Sequence, residues 1–188
     1  ALTRQGWAVM CNGANLAFRK SAFHEVGGYA GNSEKASGDD VFLLQAMMQK
    51  YPDGVIPVPE KALGGVETSA QNSWKALLNQ RIRWAGKSSG YKDQKAILTT
   101  LFIGLTNLLV PAGLISALIL PSILMWVIIY WTAKVVLDSL LVAAYSRGYQ
   151  KNIPDAAIVI LSIFYPLYTS AIALMIPFVK VKWKGRQL

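Results

Sequence analysis

The stretch Gln80-Arg81-Ile82-Arg83-Trp84 places two guanidinium groups and an indole within five consecutive residues. Arginine suits a diphosphate because its planar fork gives paired, charge-assisted hydrogen bonds. Tryptophan offers a flat apolar face on which a sugar ring can stack. The stretch therefore suggests contact with a nucleotide-sugar. Taken alone, it is equally typical of a basic helix lying at a membrane interface.

Three long apolar runs follow in the second half of the chain and predict a helical membrane region. They cover residues 96–120, 121–145 and 156–179. Each is long enough to cross about 30 Å of hydrocarbon. Lys134 and Asp138 interrupt the second run at helical spacing. We expect them to neutralise each other, and a polar lining for a translocation path is the alternative.

The composition agrees with a membrane protein that also has a water-exposed part. Apolar residues make up 53% of the 188 residues and charged residues 15%, which is too apolar for an ordinary soluble domain. The net charge is +9, but the basic residues are scattered and no nucleic-acid motif is present, so we expect no nucleic-acid partner. The chain has one cysteine, Cys11, and one histidine, His24, so an internal disulfide and a zinc site are not expected.

Residues 1–95 predict a module of short strands, helices and loops, and residues 96–188 the membrane region with a basic tail. The expected elements are a strand-like run at 7–10, a helix capped by Ser21 and ended by Gly27-Gly28, a helix opened by Asp39-Asp40, an edge strand at 55–58, and a helix from about Ser73 to Lys87.

The acidic pair Asp39-Asp40 follows a polar loop at the start of a predicted helix. The functional interpretation is a general base, Asp40, that takes a proton from an attacking hydroxyl. The plainer interpretation, favoured for these residues alone, is a helix N-cap with an acidic first turn.

The segment Cys11-Asn12-Gly13-Ala14-Asn15 is a turn of small residues after a strand-like run. It could let a sugar approach the backbone, with Asn12 and Asn15 as hydrogen-bond partners beside Gly13. An ordinary loop is the better interpretation of the segment by itself.

Taken in order, these motifs resemble the C-terminal half of membrane-bound family 2 glycosyltransferases, such as cellulose, hyaluronan and poly-N-acetylglucosamine synthases. The turn at 11–15 is similar to that family's acceptor-side segment, and Gly38-Asp39-Asp40 stands where the family usually has Thr-Glu-Asp. Residues 80–84 match the motif Gln-(Gln/Arg)-X-Arg-Trp in full. The resemblance covers essentially the whole chain. It implies an α/β fold: part of a GT-A nucleotide-diphospho-sugar transferase domain, followed by transmembrane helices.

The resemblance also implies an activity, a location and residue roles. The activity is inverting transfer from a nucleotide-sugar donor to a saccharide or lipid-linked acceptor. It takes place at the cytoplasmic face of a lipid bilayer, as in a bacterial inner membrane. Asp40 is then the base, with Asp39 beside it in place of the family's glutamate. Gln80, Arg81 and Arg83 position the donor diphosphate, and Trp84 stacks on the acceptor sugar.

The sequence departs from the family pattern in one important way. It has no Asp-X-Asp, the motif that binds Mg²⁺ or Mn²⁺ in such enzymes. We therefore expect a fragment that has no metal ligands of its own and is inactive alone, with the metal held by the full-length parent. Two rival functions are a non-enzymatic transport or channel component and a basic adaptor that binds anionic lipid.

Overall fold

The structure is a computed structural model. The residues it describes are 9–30, 38–52, 66, 68–149, 151–179, 182–183 and 186–187. The chain packs as two units. One comprises Ala1–Thr100 together with Met175–Leu188, and the other comprises Leu101–Leu174. The boundary that we predicted at residue 95 lies close to this division and stays a prediction.

The first unit is built mainly from short helices. They are α1 (Lys20–Glu25), α2 (Asp39–Lys50) and α3 (Trp74–Gly86), joined by 3₁₀ turns at Gly13–Asn15 and Lys87–Gly90. Its core contains Val41, Leu43 and Leu44 of α2 and Ile82 of α3, which are all buried. Burial of apolar side chains from two helices supplies the main driving force for their packing.

The helix starts follow from capping chemistry, with one correction. The Ser73 hydroxyl accepts a hydrogen bond from the Ala76 N–H at 3.2 Å, so α3 begins where the sequence predicted. The predicted cap at Ser21 is wrong. Helix α1 already begins at Lys20, and its N-cap, Arg19, makes no side-chain capping bond.

Helix α2 begins as a glycine-capped helix. Gly38 is the N-cap with φ +103°, and Asp39 and Asp40 occupy the first turn. The acidic pair is therefore not itself the cap. Carboxylates in the first turn interact favourably with the positive end of the helix dipole.

Strands are few among the described residues. Lys182–Trp183 (β1) and Arg186–Gln187 (β2) pair antiparallel. Val9 and Met10 lie outside any strand, and residues 7–8 and the predicted edge strand at 55–58 lie outside the described residues. The prediction of an α/β fold is therefore not confirmed by the described residues and stays a prediction.

Three long helices follow: α4 (Gln94–Ile119), α5 (Leu124–Gly148, after a 3₁₀ turn at Pro121–Ile123) and α6 (Asp155–Met175). Each is long and apolar enough to cross a membrane. The three predicted runs are therefore helical, and α6 ends before Pro177. Large apolar side chains such as Leu118 and Ile119 are more than four-fifths exposed, as expected of side chains that contact lipid.

Within the second unit, the side chains of Tyr130, Trp131 and Lys134 in α5 find partners. The Tyr130 hydroxyl donates to the Thr106 carbonyl at 2.7 Å, and the Trp131 indole N–H donates to the Ile163 carbonyl at 3.2 Å. Lys134 Nζ lies 2.8 Å from Asp138 Oδ2. The predicted self-neutralised pair is therefore confirmed, and it lowers the cost of holding two charges in an apolar helix.

We expect Gly38→Ala to destabilise the chain. At φ +103° an L side chain is strained, and a Cβ atom would lie 2.6 Å from Phe42 Cε2. The expected cost is about 1–3 kcal/mol, measured as a lowered midpoint of thermal unfolding in detergent. The matched control is Gly86→Ala, where φ is −61° and a Cβ atom would meet nothing within 4 Å. An equal effect of both substitutions would contradict the strain.

Candidate functional site

Asp40 is the centre of the candidate site because three groups hold its carboxylate. Oδ2 accepts a hydrogen bond from the Gly13 N–H at 3.0 Å, and Oδ1 accepts one from the Val41 N–H at 2.9 Å. Lys87 Nζ lies 3.6 Å from Oδ1. The side chain is 20% exposed, so it is oriented by the protein and still reachable from solvent.

The turn of small residues lies directly against Asp40. Besides the Gly13 N–H, the Cys11 thiol donates to the Asp40 carbonyl at 3.1 Å. The Asn12 side chain shapes the turn, since its Oδ1 accepts from the Ala14 N–H at 3.0 Å. Asn12 is exposed, and Asn15 ends the turn, its side chain lying outside the described part. The segment thus contributes backbone and thiol groups to the site.

The two acids of the pair differ in their surroundings. Asp39 is exposed and lines a cleft of about 910 Å³, whose wall also includes Phe42, Gln45 and Tyr91. Asp40 is not part of that wall, and its carboxylate is directed to the Gly13 backbone. The Gly13 and Val41 N–H groups and Lys87 therefore hold the Asp40 carboxylate in place.

The side chains of residues 80–84 in helix α3 differ in their exposure. Ile82 is buried and fixes the helix against the core. Arg83 is partly buried beside Asp40: burial lowers the pKa of its guanidinium, and the negative charge of Asp40 opposes that shift. Arg81 and Trp84 are on the exposed side, where the guanidinium carbon lies 5.0 Å from the centroid of the indole ring. Gln80 is partly buried.

Lys87 is a site residue that the sequence analysis missed. It follows Arg83 by four residues, and its backbone is still helical at φ −60° and ψ −31°, so both cations lie on one face. Its side chain is only 10% exposed. The spacing of two basic residues on a predicted helix was an available signal, but nothing in the sequence said which acid they would meet.

The comparison with known families decides the class of protein. Residues 3–179 match the model of the family described as glycosyl transferase family group 2. The chain belongs to this family. No curated protein and no solved structure gives a significant match. Membership supports a function in sugar transfer, and the three apolar helices are consistent with a membrane location.

Burial at the site changes the ionisation of two neighbouring groups of the glycosyltransferase. Burial, with the charge of Asp40, raises the pKa of the Cys11 thiol to about 12, and Lys87 opposes the rise. Burial, followed by the charges of Asp40 and Cys11, raises the pKa of the Tyr91 phenol. Both groups therefore stay protonated at neutral pH, and the Cys11 thiol donates its proton to the Asp40 carbonyl.

The described residues of the glycosyltransferase do not fit a divalent metal ion. They contain no group of three His, Cys, Asp or Glu side chains that could hold one. Both oxygens of Asp40 already meet donors or a cation, which compete with a metal for the same lone pairs. No step of the reaction is therefore assigned to a metal held by these residues.

We expect Cys11 to be a poor nucleophile in the folded protein. With a pKa of about 12, roughly one thiol in 10⁴ is ionised at pH 8, and the thiolate is the reactive form. Alkylation by iodoacetamide at pH 8, followed by peptide mass spectrometry, should be at least about 100-fold slower in the folded than in the denatured protein. Alkylation at the denatured rate would contradict the buried hydrogen bond.

Proposed function

We propose that the chain is the acceptor-side part of an inverting, membrane-bound glycosyltransferase with Asp40 as its catalytic base. The observation that carries the proposal is the Asp40 carboxylate itself. It is held by the backbone of the turn at 11–15, its negative charge opposes the lowering of the pKa of Arg83 in residues 80–84, and it is partly exposed. Three separate sequence motifs thus meet around one carboxylate.

The carboxylate is arranged to accept a proton. A carboxylate oxygen has two lone pairs, and Oδ2 accepts one hydrogen bond, from the Gly13 N–H. The second lone pair can receive an acceptor hydroxyl. As the hydroxyl oxygen bonds to the anomeric carbon of the donor, its proton passes to Asp40 and the nucleoside diphosphate leaves with the electrons of the broken bond. A single displacement of this kind inverts the anomeric configuration.

The remaining residues of the motif would bind the donor and the acceptor. Gln80, Arg81 and Arg83 supply hydrogen-bond donors and positive charge for the diphosphate leaving group. Trp84 would stack on the acceptor sugar. Arg81 lies over the indole ring, which leaves the opposite face of the ring for the sugar.

The wider assignments are also proposals. We propose a nucleotide-sugar donor, a saccharide or lipid-linked acceptor, and a site at the cytoplasmic face of a bacterial inner membrane. We propose the polysaccharide synthase subtype, because the motifs of this chain follow one another in the same order as in those enzymes. Mg²⁺ or Mn²⁺ would be held by an Asp-X-Asp that this sequence does not contain, so we propose that these 188 residues alone do not catalyse transfer.

A transport or channel component is the weaker alternative. The charges of Lys134 and Asp138 in a spanning helix are its main support, but they pair with each other at 2.8 Å. A transport function also does not explain why residues of the 11–15 turn and of the end of α3 contact Asp40.

Asp40→Asn tests the base. In the complete protein that carries this sequence, we expect loss of sugar transfer by at least about 100-fold, because an amide cannot take the proton. Membrane insertion should be unchanged, whereas the midpoint of thermal unfolding should fall somewhat, because the buried Lys87 ammonium group loses the charge of its partner. The control is Asp155→Asn, an exposed acid in the first turn of α6, which should keep full transfer. Retained transfer by Asp40→Asn would remove Asp40 from this role.

Gly13→Pro tests the hydrogen bond to Oδ2. Proline removes the N–H, and it suits the first position of a helical turn after an extended residue such as Asn12, whose φ is −124° and ψ 125°. We expect kcat to fall about 10- to 100-fold, because a hydrogen bond to a charged group is worth about 1.5–3 kcal/mol.

Gly13→Ala is the matched control, since it keeps the N–H. Its Cβ atom would lie 3.7 Å from the Asp40 side chain, an ordinary contact. Steady-state kinetics of both variants should show that only proline lowers kcat. An equal loss with alanine would indicate that space for the acceptor, and not the hydrogen bond, is what matters at Gly13.

A further inference from the structure

We propose that Lys87 is a positioning residue that fixes the orientation of the Asp40 carboxylate during sugar transfer. The inference rests on the proposed role of Asp40 as the base. Lys87 lies three residues beyond the Gln80–Trp84 stretch, so neither that motif nor the acidic pair includes it.

The ion pair between Lys87 and Asp40 is well shielded from water. Nζ lies 3.6 Å from Oδ1, and the two side chains are only 10% and 20% exposed. A lysine this deeply buried needs a partner for its charge, because transfer of an unpaired ammonium group out of water is costly. Asp40 is the acid that the structure places against it.

The stem of Lys87 passes close to the Gly38 backbone, since a Cβ atom at Gly38 would lie 3.4 Å from Lys87 Cδ. Gly38 is also the N-cap of α2, two residues before Asp40. The lysine stem therefore lies against the start of the helix that carries the base.

The backbone that carries Lys87 is itself held by two serine hydroxyls. Ser88 Oγ donates to the Ala85 carbonyl at 2.8 Å, and Ser89 Oγ donates to the Gly86 carbonyl at 2.9 Å. These bonds satisfy carbonyl groups at the end of α3, where helices leave acceptors without partners. The lysine therefore extends from a fixed turn.

The division of contacts explains what Lys87 does for the base. The Gly13 N–H holds Oδ2, whereas Lys87 and the Val41 N–H hold Oδ1. Contacts at both oxygens restrict rotation of the carboxylate group, so the remaining lone pair of Oδ2 keeps one direction. A base is effective only when its geometry toward the hydroxyl is fixed. Lys87 acts through Asp40 and does not contact the reacting atoms.

Lys87→Met and Lys87→Arg test the proposal in the complete protein. Methionine keeps an apolar stem without the charge, and we expect kcat to fall about 10- to 100-fold, the scale of a misplacement of about 1 Å. KM for donor and acceptor should stay within about 3-fold, and Lys87→Arg should restore kcat to within about 3-fold. The matched control is Lys75→Met, an exposed lysine at the start of α3, which should change neither value.

The outcomes separate this inference from the proposed function. Wild-type kcat for Lys87→Met, with Asp40→Asn inactive, would overturn the role of Lys87 and leave the base in place. A raised donor KM with unchanged kcat would also overturn it, since it would indicate a phosphate contact. The proposal would also be overturned if both Lys87 variants lost kcat and their thermal stability fell by a matching extent, because that result is expected of an ion pair that only stabilises the fold. If Lys87→Met does not fold, Lys87→Gln makes the same comparison.

Discussion

The candidate site depends on the three contacts that hold the Asp40 carboxylate. They come from the turn at 11–15, from the first turn of α2 and from the end of α3. The Cys11 thiol adds a hydrogen bond to the Asp40 carbonyl, and Val41 and Ile82 of the same unit are buried in its apolar core. The hydrogen-bond acceptors of a carboxylate meet several donors at once in only one arrangement of the chain. The polar contacts therefore define a specific geometry, which the non-directional packing of the apolar core does not.

A different constraint governs the spanning helices. In hydrocarbon, polar groups and charges need partners within the protein. The Tyr130 hydroxyl and the Trp131 indole N–H donate to carbonyls of neighbouring helices, and Lys134 pairs with Asp138 on its own helix. The exposed surface of these helices is otherwise mainly apolar. The charges of Lys134 and Asp138 are thus neutralised within one apolar helix.

Much of the local structure could be predicted from the sequence because it depends on neighbouring residues. Helix α3 begins at about Ser73 as predicted, and Asp39 and Asp40 occupy the first turn of α2. Ser21 failed as a cap because α1 begins one residue before it, with no side-chain cap. The resemblance gave the correct family, and the residue roles that it implies stay predictions. The strand expected at 55–58 lies outside the described residues and also stays a prediction.

The sequence by itself determined the three apolar helices, the Lys134–Asp138 pair and membership in glycosyl transferase family group 2. Each of these depends on residues that are close in sequence or on the order of motifs. Only the tertiary structure decided that Lys87 and the Gly13 N–H meet the same carboxylate, and that the Cys11 thiol donates to the carbonyl of the same residue. These partners are 27 to 47 residues apart, and such contacts follow from packing, which no local pattern of residues specifies.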